Sequence, residues 1–474
     1  MGTLITTEPD FVARRRALCE RVAAPILLGT NAARARNLPM NPYPHRADST
    51  FLYFTGCDEP GAYALLVDGA CTLFLHPPEP GDELWHGHVD SLEARRQRFG
   101  VELVRPIDEL DAACEPVRGR LQTLAVPDLA VTQRLSQLTG KPLAYPRTAG
   151  SEALVDAVIR LRRTRDPWEL GEMRKAAALS NLAHRAAMSA TRPGGHEREV
   201  AALFDAVLAA NGVGTSYRSI VTVRGEVLHN RGYENPLADG DLLLLDGGAE
   251  TPTGYASDVT RTWPVTGRYS ARQRDMYQLC LDANEACIAM CRVGNRYADI
   301  HWHATRVLAL GLKDAGLLKG DVDGLVQSGA TGVFFPHGVG HLLGLDVHDL
   351  ENFGDLPAYA PGRRRPAQFG ARFLRLDIDL QADMVVTIEP GIYIVPAILR
   401  YADLRSELRD QVNWESAERW IGFGGIRIED DVRIRPPGEN GGVPEVMTAM
   451  IPKSVAAVEA LVGTGRSAAE RLAR

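Results

Sequence analysis

Two apolar runs in this chain end in a carboxylate, and this feature constrains the fold more than any other in the sequence. The runs are LLLLDGG at 242–248, which contains Asp246, and VVTIEPG at 385–391, which contains Glu389. Each run predicts a buried strand followed by a turn. A carboxylate at the end of a buried strand is unfavourable unless a cation or a metal ion compensates it. The sequence therefore predicts a strand-rich core with a charged site at its strand ends.

Two more acidic side chains follow the same pattern. Asp258 lies twelve residues after Asp246, and the turn-like segment TPTGY separates them. Because side chains alternate between the faces of a strand, a hairpin can direct both carboxylates to one point. In the run GIRIEDD at 425–431, alternation places Arg427 and Glu429 on one face. Taken singly, Asp246 also fits an ordinary turn, and Arg427 with Glu429 fits a surface ion pair.

Three of the twelve histidines lie in the run HGVGHLLGLDVHD, at His337, His341 and His348. The glycines permit close backbone approach and argue against the His-Glu-x-x-His helix of zinc proteases. Alone, these histidines fit hydrogen-bonded core residues. Four acids and one histidine at strand ends together form a ligand set for two divalent ions, whose charges neutralise the four carboxylates. Without metal, the crowded carboxylates would repel one another, and their pKa values would rise. Such a site suits Mn²⁺, Co²⁺, Fe²⁺ or Zn²⁺.

The chain divides into two predicted domains, residues 1–160 and 161–474, with the boundary near 150–166. The first alternates strand-like runs at 25–29, 64–69 and 71–75 with helical stretches, an α/β pattern. Asp166 followed by Pro167 predicts the start of a helix. The second domain is predicted as α+β. Its helices are expected at 168–190, 197–211, 271–291 and 297–316, its strands at 219–223, 241–246, 255–265, 384–389, 391–395 and 425–434, and a surface loop at 357–370.

Composition excludes some classes of partner. The formal charge of −7 gives no electrostatic footprint for nucleic acid or an anionic membrane. No run approaches the roughly 20 apolar residues of a membrane span, and the N-terminal segment has no apolar signal region. We therefore expect a cytoplasmic enzyme. The seven cysteines are scattered, which predicts small buried side chains in a reducing compartment.

The motifs resemble those of the pita-bread metallopeptidases, which include methionine aminopeptidase, aminopeptidase P and prolidase. In the first domain, STFLYFTG at 49–56 followed by Glu59-Pro60 resembles the N-terminal domain of aminopeptidase P. In the second, LDVHD at 345–349, EPGIY at 389–393 and GIRIED at 425–430 resemble the signatures of Xaa-Pro peptidases. The resemblance covers almost the whole chain. It implies an α/β N-terminal domain followed by an α+β pita-bread (creatinase/aminopeptidase) catalytic domain.

The resemblance also implies roles for individual residues. Two divalent ions, expected to be Mn²⁺ with Zn²⁺ or Co²⁺ as alternatives, would activate a shared water for attack on the peptide bond. Asp246 would bind one ion, Asp258 and Glu429 would bridge both, and His341 and Glu389 would complete the second site. The implied metal ligands are Asp246, Asp258, His341, Glu389 and Glu429.

The remaining implied roles concern proton transfer and the substrate. Glu389 would transfer a proton to the proline nitrogen, and His348 would stabilise the tetrahedral intermediate. His229 would help to hold the substrate beyond the scissile bond. The implied substrate-binding residues are His337 beside the proline pocket, Arg427 behind a ligating carboxylate, Arg375 and Tyr217.

Two departures from the family pattern affect these expectations. The spacing from Asp246 to Asp258 is one residue longer than usual. If the added residue lies in the turn at 251–254, both carboxylates still point inward, whereas within a strand it would reverse one of them. The loop at 223–226 before His229 is shorter and less glycine-rich than usual, which affects how the amino end of a substrate is held, including any contribution of Tyr217.

The expected activity is hydrolysis of the bond between an N-terminal residue and proline in a peptide substrate. A prolidase, restricted to Xaa-Pro dipeptides, would use the same metal centre, and there Arg375 would bind the free carboxylate. A non-catalytic pita-bread binding module and the metal-independent creatinase share the fold, but the intact ligand set argues against both. The resemblance further implies a homo-oligomer.

Overall fold

The computed structural model describes residues 8–146 and 149–473, which form two compact units. The N-terminal unit contains the described residues up to Arg163 together with Leu350–Pro357. The C-terminal unit contains Thr164–Asp349 and residues 358–473. Among these residues, no helix is both long enough and apolar enough to cross a bilayer. The predicted division into domains at residue 160 remains a prediction, because two compact units are not by themselves evidence that each part folds independently.

The N-terminal unit is built on a mixed sheet. In chain order its elements are α1 (Phe11–Arg21), β1 (Ile26–Gly29), α2 (Ser49–Thr55), β2 (Tyr63–Val67), β3 (Ala70–Leu75), α3 (Asp82–His86), α4 (Leu92–Phe99), β4 (Leu103–Pro106), α5 (Leu110–Cys114), β5 (Gln122–Thr123), α6 (Leu129–Thr139) and α7 (Glu152–Arg162). The strand order is β4-β3-β2-β1-β5, with parallel outer pairs and antiparallel inner pairs. Leu27, Phe74 and Leu135 lie in its apolar core. This arrangement confirms the predicted α/β class.

The C-terminal unit combines short antiparallel sheets with long helices. Its elements are α8 (Pro167–Ala190), α9 (Glu197–Ala210), β6 (Gly214–Thr215), β7 (Ile220–Thr222), β8 (Leu242–Asp246), β9 (Ala249–Glu250), β10 (Thr260–Pro264), α10 (Ala271–Ala289), α11 (Tyr297–Asp314), α12 (Val322–Ser328), β11 (Val385–Ile388), β12 (Gly391–Tyr393), α13 (Pro396–Leu399), α14 (Ala402–Glu407), α15 (Trp414–Glu418), β13 (Gly425–Arg427), β14 (Asp430–Arg433), β15 (Glu445–Val446), α16 (Val455–Leu461) and α17 (Ala468–Leu472). The strand orders are β10-β8-β7, β11-β14-β15, β12-β13 and β6-β9. The predicted α+β class is confirmed.

Helix α8 begins where the sequence predicts. The Asp166 side chain accepts a hydrogen bond from the backbone N–H of Glu169, and the Glu169 side chain accepts one from the backbone N–H of Asp166. This reciprocal capping satisfies backbone donors that have no partner within the helix, and Pro167 at the first helical position lacks such a donor.

Two predicted strands differ most from the structure, because their backbone groups have other partners. The strand predicted at 255–265 begins at Thr260, since the N–H of Ala256 donates to the Gly344 carbonyl and that of Asp258 to the Asp431 carboxylate. The strand predicted at 425–434 is interrupted at residues 428–429, where the N–H of Glu429 donates to Thr260. The late start of the first strand lies beside Asp258, and the break in the second includes Glu429, so both differences occur at acidic residues of the predicted site.

The seven cysteines are free thiols, as the sequence predicts. Cys19 is partly exposed, and the other six are buried. Burial raises the pKa of the Cys57, Cys71 and Cys280 thiols to about 12. These side chains therefore behave as small apolar groups.

Candidate metal centre

The first pair of acidic residues converges at the end of β8. Strands β8 and β10 pair antiparallel, with Asp246 opposite Thr260. Asp258 lies two residues before Thr260, and the Tyr217 hydroxyl contacts the carboxylates of both Asp246 and Asp258. Both carboxylates therefore face the same point, and the arrangement in which one of them is reversed is wrong.

A tight turn between the two strands permits this convergence. The Thr251 N–H donates to the Tyr255 carbonyl at 2.9 Å, and the Gly254 N–H donates to the Thr251 carbonyl at 2.9 Å. Gly254 has φ = 88°, a left-handed conformation that glycine adopts without steric cost. The turn thus closes on itself without altering the pairing of β8 with β10.

The second acidic pair lies where two strands change sheets. Strand β11 pairs with β14, and the next strand, β12, pairs with β13. Glu389 lies between β11 and β12, and Glu429 lies between β13 and β14. The Glu429 carboxylate accepts a hydrogen bond of 2.7 Å from the Thr260 hydroxyl, which connects this pair to the end of β10. The two glutamates therefore meet the two aspartates.

His341 directs a ring nitrogen toward these carboxylates. Its Nδ1 donates to the Leu342 carbonyl at 3.0 Å, and a carbonyl only accepts, so the proton of the neutral ring lies on Nδ1. Nε2 then has a free lone pair, 3.4 Å from Asp258 Oδ2 and 4.0 Å from Glu389 Oε1. A hydrogen bond from one ring nitrogen to a carbonyl is the usual way to orient a metal-binding histidine.

The structure gathers all five residues that the family resemblance implies as ligands. Ligand atoms of Asp246, Asp258 and Glu429 lie within 4.8 Å of one another, and so do those of His341, Glu389 and Glu429. Glu429 belongs to both groups. In a third group, ligand atoms of Asp258, His341 and His348 also lie within 4.8 Å of one another. The five residues thus form one continuous cluster of carboxylate and imidazole ligand atoms.

The electrostatics of the cluster favour a cation. Burial, together with the charges of Asp258, Glu389 and Asp246, raises the pKa of Glu429 well above its usual range. Burial also raises the pKa of Glu389 to about 7. These carboxylates resist ionisation side by side, and divalent ions would compensate their charge. The donor set therefore fits divalent metal ions.

Arg427 connects the carboxylates to a histidine. Its guanidinium contacts Asp246 and donates from Nη1 to the Tyr393 hydroxyl at 3.0 Å. The Tyr393 hydroxyl lies 2.9 Å from Nε2 of His337, whose Nδ1 donates to the Gly338 carbonyl at 2.8 Å. Burial lowers the pKa of His337 to about 3, so the ring is neutral and Nε2 accepts a hydrogen bond from the Tyr393 hydroxyl. The His337 ring also packs edge-on against Phe335, with centroids 4.8 Å apart.

The remaining predicted site residues surround this cluster. His348 is exposed, and its ring lies edge-on to His341 with centroids 4.5 Å apart. His229 is also exposed. Partial loss of hydration lowers the pKa of both imidazoles, and the positive charge of half-buried Arg375 contributes to the shift. The hydroxyl of Tyr217 contacts two predicted metal ligands, Asp246 and Asp258.

Several residues of the centre had no role in the sequence prediction. Thr260 donates to Glu429 and accepts from Arg427 Nε at 3.0 Å. It lies two residues after Asp258, so strand alternation gave a usable signal. Asp431, whose carboxylate accepts the Asp258 N–H at 3.2 Å, lies two residues after Glu429 and gave the same signal, but its contact with Asp258 joins two segments that are distant in the sequence.

Known proteins resemble this chain over nearly its whole length. The model of metallopeptidase family M24 matches residues 171–436, and that of the aminopeptidase P N-terminal domain matches residues 11–124. An Xaa-Pro aminopeptidase of Escherichia coli K12 is 31% identical over 96% of this chain and 98% of its own length. A Pseudomonas aeruginosa aminopeptidase, PepP, superposes with a TM-score of 0.80 at 31% identity, covering 96% of this chain and 98% of that one. A zinc-substituted E. coli aminopeptidase P in complex with product gives a TM-score of 0.78 at 28% identity, covering 95% and 97%.

Proposed function

This chain belongs to metallopeptidase family M24, and we propose that it is an Xaa-Pro aminopeptidase, which hydrolyses the bond between the first residue of a peptide and a following proline. The observation that carries this proposal is the convergence of four carboxylates and the free Nε2 of His341 at the ends of buried strands. The similarity to Xaa-Pro aminopeptidases over nearly the whole chain supports it.

We assign the five converging residues to two divalent ions and propose manganese, with zinc or cobalt as alternatives. The ions would supply Lewis-acid activation of the attacking water. Among the protein groups, we assign the general base to Glu389, because its carboxylate lies within the cluster of ligand atoms, 4.0 Å from His341 Nε2, where the attacking water would bind. In this proposal it transfers the proton of the water to the proline nitrogen.

The exposed histidines face the substrate in this proposal. His348 lies beside His341 and can donate a hydrogen bond to the oxyanion that forms during attack, which stabilises the transition state more than the ground state. His229 contacts the substrate beyond the scissile bond. The partly exposed ring of His337, packed against the buried rings of Phe335 and Tyr393, would offer a surface against which a proline ring can pack.

Removal of metal tests the function directly. Asp258→Ala removes a proposed bridging ligand, so we expect loss of activity and of at least one metal ion per chain. Metal content would be measured by plasma mass spectrometry on the purified enzyme, with Asp156→Ala as a control on the exposed surface of α7. Full activity of the metal-stripped parent would exclude the proposed chemistry.

Substrate length separates the aminopeptidase from a prolidase. We propose that the enzyme cleaves Xaa-Pro-Xaa-Xaa peptides and also accepts Xaa-Pro dipeptides. The experiment compares kcat/KM for the two lengths in the parent and in Arg375→Ala. Cleavage of dipeptides alone, lost selectively in Arg375→Ala, would indicate a prolidase, because a guanidinium can bind the free carboxylate through two hydrogen bonds. Efficient cleavage of peptides without proline at the second position would overturn both assignments.

We further propose that the chain forms a homo-oligomer in the cytoplasm, as the family resemblance implies. Multi-angle light scattering of the metal-loaded enzyme measures the mass. A mass of one chain at micromolar concentration would contradict the assembly.

A further inference from the structure

A fully buried amide on α10 contacts both segments that present the glutamate ligands. Nδ2 of Asn284 donates to the Ile388 carbonyl at 3.0 Å and to the Ile428 carbonyl at 3.2 Å. Ile388 directly precedes Glu389, and Ile428 directly precedes Glu429. One side chain therefore connects the backbones of two segments that are 40 residues apart in the sequence.

The orientation of this amide follows from its partners. Lys453 Nζ donates to Oδ1 of Asn284 at 2.8 Å. An ammonium group only donates and a carbonyl only accepts, so the amide oxygen must face Lys453 and the nitrogen must face the two carbonyls. Because the side chain is fully buried, these hydrogen bonds satisfy polar atoms that solvent does not reach.

The same network holds the segment around Glu429 from its other side. Lys453 Nζ also donates to Asp430 Oδ2 at 2.9 Å. Arg261 donates to the Glu429 carbonyl at 2.6 Å and to Asp430 Oδ1 at 2.7 Å. Asp430 is fully buried, and its carboxylate accepts hydrogen bonds from Arg261 and Lys453, both of which are cations. It thus anchors the network as a carboxylate.

Helix α10 also contacts the residue after Glu389. Cys280 lies one turn before Asn284 on the same face of the helix, and its thiol donates to the Pro390 carbonyl at 3.2 Å. The helix therefore holds the backbone on both sides of Glu389. Because the carboxylates of Glu389 and Glu429 both belong to the cluster of ligand atoms, a rigid support behind their strands fixes the distance between them.

We propose that Asn284 is a positioning residue of the metal centre, which sets the spacing of Glu389 and Glu429 through the carbonyls of Ile388 and Ile428. Lys453 keeps the amide in the required orientation. This inference concerns residues that bind neither metal nor substrate, and it rests on the proposed function only in requiring that the centre binds metal.

Asn284→Asp is the sharpest test, because it preserves shape and replaces the donor nitrogen with an oxygen that repels both carbonyls. The full-length protein is stripped of metal and titrated with MnCl₂ by isothermal calorimetry. We expect the Kd of the more weakly bound ion to rise about 10-fold to 100-fold, the range typical for residues that orient metal ligands. We also expect the electron paramagnetic resonance spectrum of the two-manganese form to change, since it reports the separation of the ions.

Cys287→Ala is the matched control. Cys287 lies one turn after Asn284 on α10 and is fully buried, but its thiol contacts the Ile300 carbonyl of α11 at 3.5 Å. Its substitution should lower the melting temperature of the metal-free protein without changing the Kd for Mn²⁺. An effect of Asn284→Asp on the Kd no larger than that of Cys287→Ala would overturn the inference.

Lys453→Met provides a second variant if Asn284→Asp does not fold. The Lys453 side chain is 19% exposed, so the methionine can occupy its place. We expect a smaller rise in Kd, by about 10-fold, because the amide loses its orienting partner. An unchanged Kd in this variant would overturn the inference and leave the proposed function intact. A parent protein that binds no Mn²⁺, Zn²⁺ or Co²⁺ would overturn both.

Discussion

The ionisation of Glu389 should depend on whether a divalent metal ion is bound at the centre. Burial raises its pKa to about 7, while nearby His341 and Arg427 act in the opposite direction. In the metal-free protein it therefore retains a proton at pH values at which an unfolded chain has lost it. Binding of a divalent ion favours the carboxylate and releases this proton.

The stability of the metal-free protein should therefore depend on pH. Between the usual glutamate pKa and about 7, the folded state binds more protons than the unfolded state, so the free energy of unfolding falls as the pH rises. The raised pKa values of Glu429 and Asp246 act in the same direction. We expect the melting temperature of the metal-free protein to fall from about pH 5 to about pH 7, and to fall less in Glu389→Gln. Equal slopes in parent and variant would contradict this assignment.

His348 should affect catalysis and not metal binding. Its ring lies beside His341 at the exposed side of the centre. We expect His348→Ala to retain the metal content of the parent and to lose kcat by about 100-fold, the loss typical when a group that stabilises an oxyanion is removed. Steady-state kinetics with metal analysis of the same sample would measure both. A change confined to KM would instead assign His348 to substrate binding.

Among individual residues, the sequence allowed prediction of the charged residues that directly follow an apolar run. Asp246 and Glu389 were recognisable because each ends a buried strand, where an unpaired carboxylate is unfavourable. Asn284 was not recognisable, because an amide within a helix has no unusual local context. Its role depends on two carbonyls that only the tertiary fold brings together.

At the scale of elements, the centre depends on the register of β8 against β10. Asp246 pairs with Thr260, and the connection between the strands contains the turn at 251–255. The four long helices α8 to α11 and the longer strands were predictable from periodicity, whereas the short helices α12 to α17 were not predicted. The ends of β10 and β13 were not, because there the backbone donors bond to other sheets and to side chains, which local patterns do not encode.

A pair of deletions would test this dependence. Pro252 is exposed in the turn, so its deletion should shorten the connection and preserve metal binding. Val259 is fully buried between Asp258 and Thr260, and its deletion should send the Asp258 carboxylate to the opposite face of the strand. We expect metal content to be retained in the first variant and lost in the second. Circular dichroism controls for folding, and equal loss of metal in both variants would contradict the importance of register.

At the scale of the whole molecule, the metal centre lies entirely within the C-terminal unit, because every proposed ligand falls in residues 164–349 or 358–473. The N-terminal unit has its own sheet and apolar core. Ligand binding stabilises the structure that forms the site, so metal should act on one unit specifically.

Calorimetry of the metal-free and metal-loaded protein would measure this effect. We expect the unfolding transition of the C-terminal unit to move to higher temperature with added MnCl₂. At a free Mn²⁺ concentration of 1,000 times the Kd, the free energy of unfolding of this unit should rise by about 4 kcal/mol. The transition of the N-terminal unit should not move. A single transition that shifts as a whole would show that the two units unfold together.

Each unit contains buried thiols whose rate of alkylation reports how often that unit opens. Cys57, Cys71 and Cys114 lie in the N-terminal unit, and Cys280, Cys287 and Cys291 lie in the C-terminal unit. A buried thiol with a raised pKa reacts with an alkylating reagent only when its surroundings open. Alkylation rates read by peptide mass spectrometry would therefore record the opening of each unit separately in one sample, without any engineered label.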